Sequence, residues 1–291
     1  MEREDPGEES RVLSFVMNDR GSIRLEQISF AYPSCPGRLV LDGFEAEISL
    51  ARHTLVLGPV ASGKTTLARV VAGLEEPVSG RVVWPEVPFL GPVGGWEPLV
   101  CGVVFEEPSF QLQGFTVREE LETGLAYRGA DTGLRAGRAL EIARALGLEE
   151  LIDRTLQQLD YPDRLAVLVA AFLALAPALL VLDFSLAELD RDFRNRLLSA
   201  CRSGKGPALM VASRRAEDIA LLGEDCRIFL LEGGGLRELA TPIDSPEIVP
   251  VLSGCGIRLP WYASRTAGLR AEGKTDRVFF ADESEAARLF S

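Results

Sequence analysis

The sequence predicts an α/β fold organised around a phosphate-binding loop, and three observations support it. Residues 58–66 read GPVASGKTT, with an apolar strand-like run at 54–57 leading in and a helix-compatible stretch at 65–72 leading out. Residues 23–30 and 39–50 alternate apolar and polar side chains, as half-exposed strands do. Short aliphatic runs at 100–105, 179–183, 208–212 and 226–231 are separated by helical patterns, as buried strands of a layered sheet are.

Taken in order, the first ten residues, MEREDPGEES, are polar and acidic and predict a loose tail over 1–20. After the first strand, Pro33 and Pro36 mark a loop around Tyr32, and Asp42 and Gly43 suggest a turn inside the second strand pattern. Pro77 to Gly80 turns into a strand at 81–84, and Gly and Pro fill an irregular loop at 85–98. Helices are expected at 116–127, 135–146, 149–153 and 191–201, and no internal repeat is visible. A last strand at 277–280 and a last helix at 284–290 close the pattern.

Residues 165–182 carry no charge over about the length a bilayer requires. Pro177 splits this run into a helical piece, 165–176, and a strand-like piece, 178–182, so a buried helix feeding a buried strand is expected. The 291 residues suit one large α/β domain with an appendage, or two modest domains. A formal charge of −12 argues against nucleic-acid binding and does not favour direct contact with anionic lipid. Five scattered cysteines without a C-x-x-C pair point to reduced, packed thiols in a cytoplasmic protein, with no zinc site.

The loop fits G-x-x-x-x-G-K-[ST] with Gly58, Gly63, Lys64 and Thr65 at the required places. The backbone N–H groups of Pro59-flanking residues Val60, Ala61 and Ser62, and of Gly63 to Thr66, are expected to converge on phosphate oxygens at a helix N-terminus. Lys64 would reach the terminal phosphates, and the Thr65 hydroxyl would hold Mg²⁺. Lysine is scarce here, with three among 31 basic residues, so its presence at this position is informative.

From about residue 23 to 238 the chain resembles an ATP-binding-cassette (ABC) ATPase, and more specifically the ATPase subunits of energy-coupling-factor and cobalt-type importers. The resemblance implies a P-loop ABC ATPase fold: a RecA-like core, an antiparallel β subdomain and a helical subdomain. It implies an ABC domain over 21–240, a helical insert at about 108–165, and a short C-terminal extension at 241–291. In Phe30-Ala31-Tyr32-Pro33 the aromatic Tyr32 matches the residue that stacks on adenine in the family. Val103-Val104-Phe105-Glu106-Glu107-Pro108 resembles the family's Q-loop, with Glu106 where glutamine is usual; a carboxylate there still suits Mg²⁺. Leu179 to Asp183 resembles the Walker B strand, whose aspartate holds Mg²⁺.

Several positions depart from the family pattern. Phe184 stands where a glutamate general base is expected, and Ser213 where the switch histidine is expected. Leu159-Asp160-Tyr161-Pro162-Asp163 falls on the signature loop L-S-G-G-Q, setting two carboxylates where phosphate-sensing N–H groups belong. As helix N-terminal residues Asp160 and Asp163 still make sense. The only histidine, His53, reads as an ordinary strand-edge residue. The D-loop is partly kept as Ala187-Glu188-Leu189-Asp190. Gly254-Cys255-Gly256-Ile257-Arg258-Leu259-Pro260, then Leu269, resembles the segment after the cassette that helps hold two importer ATPases together.

The expected ligands are therefore ATP and Mg²⁺, held by Tyr32, residues 58–66, Asp183 and Glu106. The expected partners are another ABC ATPase subunit, in a homo- or heterodimer, and a transmembrane importer subunit at the inner face of the membrane. In relatives a groove near the Q-loop receives a helix of that subunit, which maps onto 106–128 with Phe110 and Phe115 as apolar contacts. Three readings compete. One is a degenerate subunit that binds Mg-ATP with negligible hydrolysis, which also accounts for Glu106, Phe184, Ser213 and the Asp160–Asp163 segment. The others are an active ABC ATPase and a P-loop kinase or GTPase, the last opposed by Tyr32 and the absence of an N-K-x-D motif.

Overall fold

Alternation turns Ile23 and Leu25 of strand β1 (Ser22–Phe30) inward, and an irregularity between Leu25 and Ile28, with Gln27 at φ 52°, lets Ile28 and Phe30 be buried as well. In the computed structural model, which describes residues 21–85, 100–202, 206–223, 225–239, 248–257, 259–260, 265, 268 and 272–273, β1 is the centre of a small antiparallel sheet. Strand β2 (Leu41–Ser49) lies on one side of it and β4 (Ser79–Val83) on the other. The acidic tail, residues 86–98 of the Gly- and Pro-rich loop, the strand at 277–280, the helix at 284–290, and Arg258 and Leu269 lie outside the described residues.

The second sheet has six strands in the order β5-β6-β7-β3-β8-β9. Its members are β3 (Thr54–Leu57), β5 (Cys101–Phe105), β6 (Leu179–Asp183), β7 (Ala208–Ser213), β8 (Arg227–Glu232) and β9 (Gly235–Glu238). All pairs are parallel except β8 with β9. Continuous aliphatic runs are explained by burial of both faces. Leu55, Leu57, Leu180, Leu182, Leu209 and Val211 pack on one side. Val56, Leu179, Val181, Ala208 and Met210 pack on the other, against β1, β2 and helix α1 (Lys64–Val71).

The first of those cores also holds the helices inserted between β5 and β6: α2 (Val117–Tyr127), α3 (Thr132–Leu146) and α4 (Tyr161–Ala174). Each begins at a residue type that caps helices. Thr116 caps α2 in a full capping box with Glu119, Asp131 caps α3, and Asp160 caps α4. Three more helices follow: α5 (Arg191–Arg202), α6 (Glu217–Leu222) and α7 (Ile248–Gly254).

Three local expectations need correction. The turn at Asp42 and Gly43 is absent; β2 runs through both, and the pairing register with β1 shifts there while the Gly43 N–H donates to Ser29 Oγ at 3.0 Å. A bulge absorbs the glycine, and cross-strand pairing overrides its turn preference. The strand expected at 81–84 is β4, two residues earlier, because Ser79 pairs with Ser29. The helix expected at 165–176 starts at Tyr161, because the Asp160 cap and a proline in its first turn nucleate it earlier. The uncharged run 165–182 is indeed a helix and a strand, and no helix among the described residues is long and apolar enough to cross a membrane.

Candidate nucleotide-binding site

Strand β3 ends at Leu57, and the chain turns at once into the loop that starts α1. A Cβ added at Gly58 would lie 2.6 Å from the Leu231 carbonyl oxygen, and closer still to Ser62 Oγ, so only glycine fits between β8 and the loop. Gly63 caps α1 at φ 100°, a left-handed conformation that side chains resist. Ala61 is left-handed as well, at φ 62°. These turns fold the loop around the Lys64 ammonium, which donates to the carbonyls of Gly58 (2.8 Å) and Pro59 (2.7 Å), with Ser62 Oγ at 3.4 Å. Val60, Ala61 and Thr65 are exposed at the rim. Thr66 is buried, and its hydroxyl pairs with the Tyr32 hydroxyl at 2.9 Å. The Tyr32 ring stands edge-on to Phe30, with centroids 5.0 Å apart.

The acidic groups arrive on neighbouring strands. Phe105 of β5 is paired with Asp183 of β6, so Glu106 leaves the sheet beside Asp183. Burial pushes the Asp183 carboxyl up to about 6, opposed by a hydrogen bond from the Thr65 side chain and by the Lys64 charge. Burial likewise lowers the Lys64 ammonium from its ordinary value; Asp183 and Glu106 oppose this and Arg214 adds to it. The structure thus brings Lys64, Thr65, Asp183 and Glu106 together around one point. Their donors are hydroxyl and carboxylate oxygens, a hard set that suits Mg²⁺, which takes one or two carboxylates and completes its shell with phosphate and water. The narrow Gly58 turn and the helix N-terminus after it suit the phosphates. Both groups fit.

The departures from the family pattern have definite structural settings. Phe184 is 4% exposed and packs in the core shared with the inserted helices. Ser185 Oγ and the Leu186 N–H both donate to one carboxylate oxygen of Asp218, each at 3.0 Å. Ser213 is buried at the end of β7, and its hydroxyl accepts the Arg215 N–H at 3.0 Å. Arg215 pairs with Glu188 at 2.9 Å. Asp160 accepts the Asp163 N–H at 3.0 Å at the start of α4, and Tyr161 next to it donates to the Glu106 carbonyl at 2.9 Å. His53 Nδ1 accepts the Leu209 N–H at 3.1 Å, fixing it to the edge of β7.

Sequence reasoning missed Asp218 and the Arg215–Glu188 pair. Asp218 sits in an ordinary acidic first turn of α6, and only its burial sets it apart. Glu188 lies in the D-loop segment, but no motif marks Asp218 or Arg215.

The ABC transporter family profile matches residues 41–186, which is half of the chain. The energy-coupling factor transporter ATP-binding protein EcfA1 of Halalkalibacterium halodurans is 28% identical over 255 residues, covering 86% of this chain and 91% of that protein. An ABC transporter ATP-binding protein of Streptomyces coelicolor is 30% identical over 258 residues, covering 86% and 88%. Among solved structures, cbiO1 from Clostridium perfringens, part of the ABC transporter complex cbiONQ, has a similar fold, with a TM-score of 0.64 at 22% identity over 86% of this chain and 98% of that one. A nucleotide-free ATP-binding cassette from an ABC transporter has a TM-score of 0.61 at 24% identity, covering 81% and 96%. With the glycine-walled loop and the neighbouring carboxylates already in place, these likenesses establish that the chain belongs to the ABC transporter family.

Proposed function

We infer that this chain is the Mg-ATP-binding subunit of an ABC importer of the energy-coupling-factor and cobalt type, and that it hydrolyses ATP slowly or not at all. The observation that carries this reading is the Lys64 ammonium, cradled by Gly58 and Pro59 beside Asp183 at the C-terminal edge of the sheet. Backbone N–H groups of residues 60–66 would hold the phosphates, Lys64 the terminal ones, and Tyr32 the adenine. Thr65, Asp183 and Glu106 would hold Mg²⁺. When bound, the ion offsets phosphate charge and polarises the phosphoryl oxygens.

Among the described residues, the two positions where the family pattern places catalytic groups, 184 and 213, supply no proton acceptor for water. A general base contributes typically about 10²–10⁴-fold. Phe184 has no lone pair and points into the core, and the Ser213 hydroxyl is engaged by the Arg215 N–H. A second reading, an active ABC ATPase, is favoured by one feature: Glu106 is an exposed carboxylate next to Asp183. No observation favours a P-loop kinase.

The ABC domain would span 21–240 and the extension at 241–291 would help pair this subunit with a second ABC ATPase. Phe110, Phe115 and Tyr127 are 90%, 64% and 79% exposed beside the Glu106 segment. They form the apolar surface we assign to a helix of the transmembrane partner, holding the subunit at the cytoplasmic face of the membrane. Phe110→Asp is expected to reduce capture of this chain by that partner; full retention would count against the surface.

The deciding experiment is calorimetry with Mg-ATP on wild type and Lys64→Ala, with phosphate release measured alone and with a second ABC ATPase subunit. Binding lost in Lys64→Ala, with release by wild type alone at background, is the expected result. Rapid release that Lys64→Ala abolishes would favour the active ATPase. A wild type without affinity for Mg-ATP would sink the nucleotide-binding reading.

A further inference from the structure

Arg214 follows Ser213 directly at the C-terminal end of β7. Strand β7 lies beside β3, with Leu57 paired to Ser213, and the Gly58 N–H donates to the Ser213 carbonyl at 3.2 Å. The first residue of the phosphate loop is therefore bonded to the residue that precedes Arg214. Parallel α/β sheets collect ligands at the C-terminal ends of their strands, and both ends open on the same rim.

The charges at this rim are poorly matched to an anion. Lys64 is acted on by two carboxylates, Asp183 and Glu106. Arg69 lies over the Phe105 ring, 5.3 Å from its centroid, on the Asp183 side. Arg214 is the further cation close enough to depress the Lys64 ammonium. Its neighbour Arg215 is held by Glu188. Among the described residues no carboxylate is bonded to Arg214, and its side chain is exposed.

We propose that Arg214 reads the terminal phosphate of the nucleotide held by the 58–66 loop, so that this chain distinguishes a nucleoside triphosphate from a diphosphate. The proposal rests on the nucleotide-binding reading above. A guanidinium is always charged and offers a planar fork of N–H donors that matches two phosphate oxygens. Ser213 carries no charge, so Arg214 would add a second cation to Lys64, which lies deeper in the loop against the Gly58 and Pro59 carbonyls. Arg214 restores at the mouth of the site the positive charge that Glu106 offsets.

Calorimetric titration of wild type, Arg214→Gln and Arg214→Lys with Mg-ATP and Mg-ADP tests this. The side chain is exposed, so neither substitution disturbs the core. Loss of one charge-assisted pair predicts that Arg214→Gln weakens Mg-ATP about tenfold and Mg-ADP less than about twofold, with Arg214→Lys between. If wild type binds both nucleotides and Arg214→Gln changes the two affinities equally, or changes neither, the role of Arg214 is overturned and nucleotide binding stands. If wild type binds neither, nucleotide binding itself fails and Arg214 with it.

Discussion

One carboxylate oxygen of Asp218 accepts hydrogen bonds from the Ser185 hydroxyl and from the Leu186 N–H, both at 3.0 Å. Helix α6 thereby ties the segment after Asp183 to the end of β7, where Ser213 also favours the ionised carboxyl. The Arg215–Glu188 pair fastens the same two segments a few residues further on. Two loops that flank the phosphate site are thus joined by a buried acid and a half-buried ion pair.

That bond carries a pH signature. Burial pushes the Asp218 carboxyl up to about 6 from an ordinary 3.8, despite its hydrogen bonds to Ser213, Ser185 and Leu186. A raised acid binds more protons folded than unfolded between these values. Its stabilising contribution is therefore complete below 3.8 and is lost as pH rises through about 6. The separation corresponds to about 3 kcal/mol. Asp218→Asn keeps the accepting oxygen and removes the charge. Urea unfolding is expected to show the variant gaining on wild type by about 1–3 kcal/mol between pH 4.5 and pH 7.5. Parallel stability profiles for the two proteins would refute the buried charge.

Position 184 tests whether the missing base can be put back. Because Phe184 packs in the core, Phe184→Glu buries a carboxylate among aliphatic side chains. Denaturation is expected to show a loss of roughly 3–5 kcal/mol, with phosphate release still at background. Brisk hydrolysis by a stably folded Phe184→Glu protein would show instead that the position faces the nucleotide.

Tyr32 has two separable roles. Tyr32→Phe removes only the bond to Thr66 and is expected to cost about 1 kcal/mol of stability while leaving Mg-ATP affinity near wild type. Tyr32→Ala removes the ring, and its expected loss in Mg-ATP affinity is about 1–3 kcal/mol, the scale of base–aromatic stacking. Equal affinities for Tyr32→Ala and wild type would remove Tyr32 from the site.

The helical insert rests on its caps. Thr116→Ala breaks the reciprocal box with Glu119 and is expected to lower stability by about 1 kcal/mol, with Thr116→Ser near wild type. Coincident urea midpoints for all three proteins would contradict a capping contribution.

Much of this architecture was legible because it is written in short-range patterns. The phosphate loop, the caps at Thr116, Asp131 and Asp160, and the alternation of β1 each depend on residues within a few positions of one another. Misreadings arose where a distant partner overruled a local preference. Gly43 reads as a turn, yet pairing of β2 with β1 turns it into a bulge. Other settings were not legible at all: Phe184 stands at the general-base position, and its burial against the inserted helices is not visible from position alone. His53 gives no hint that it accepts a hydrogen bond from Leu209, far along the chain.

By itself the sequence determined that a glycine-rich turn, a lysine and a helix N-terminus follow an apolar strand, because backbone reach and side-chain periodicity act over a few residues. Only the tertiary structure decided which groups meet. Phe105 beside Asp183, Tyr161 against the Glu106 carbonyl, Asp218 under Ser185 and Arg214 near Lys64 all require segments from different strands and helices to converge. The physical reason is that a parallel sheet aligns the C-terminal ends of strands far apart in the chain, and electrostatic interactions depend on distance in space rather than along the backbone.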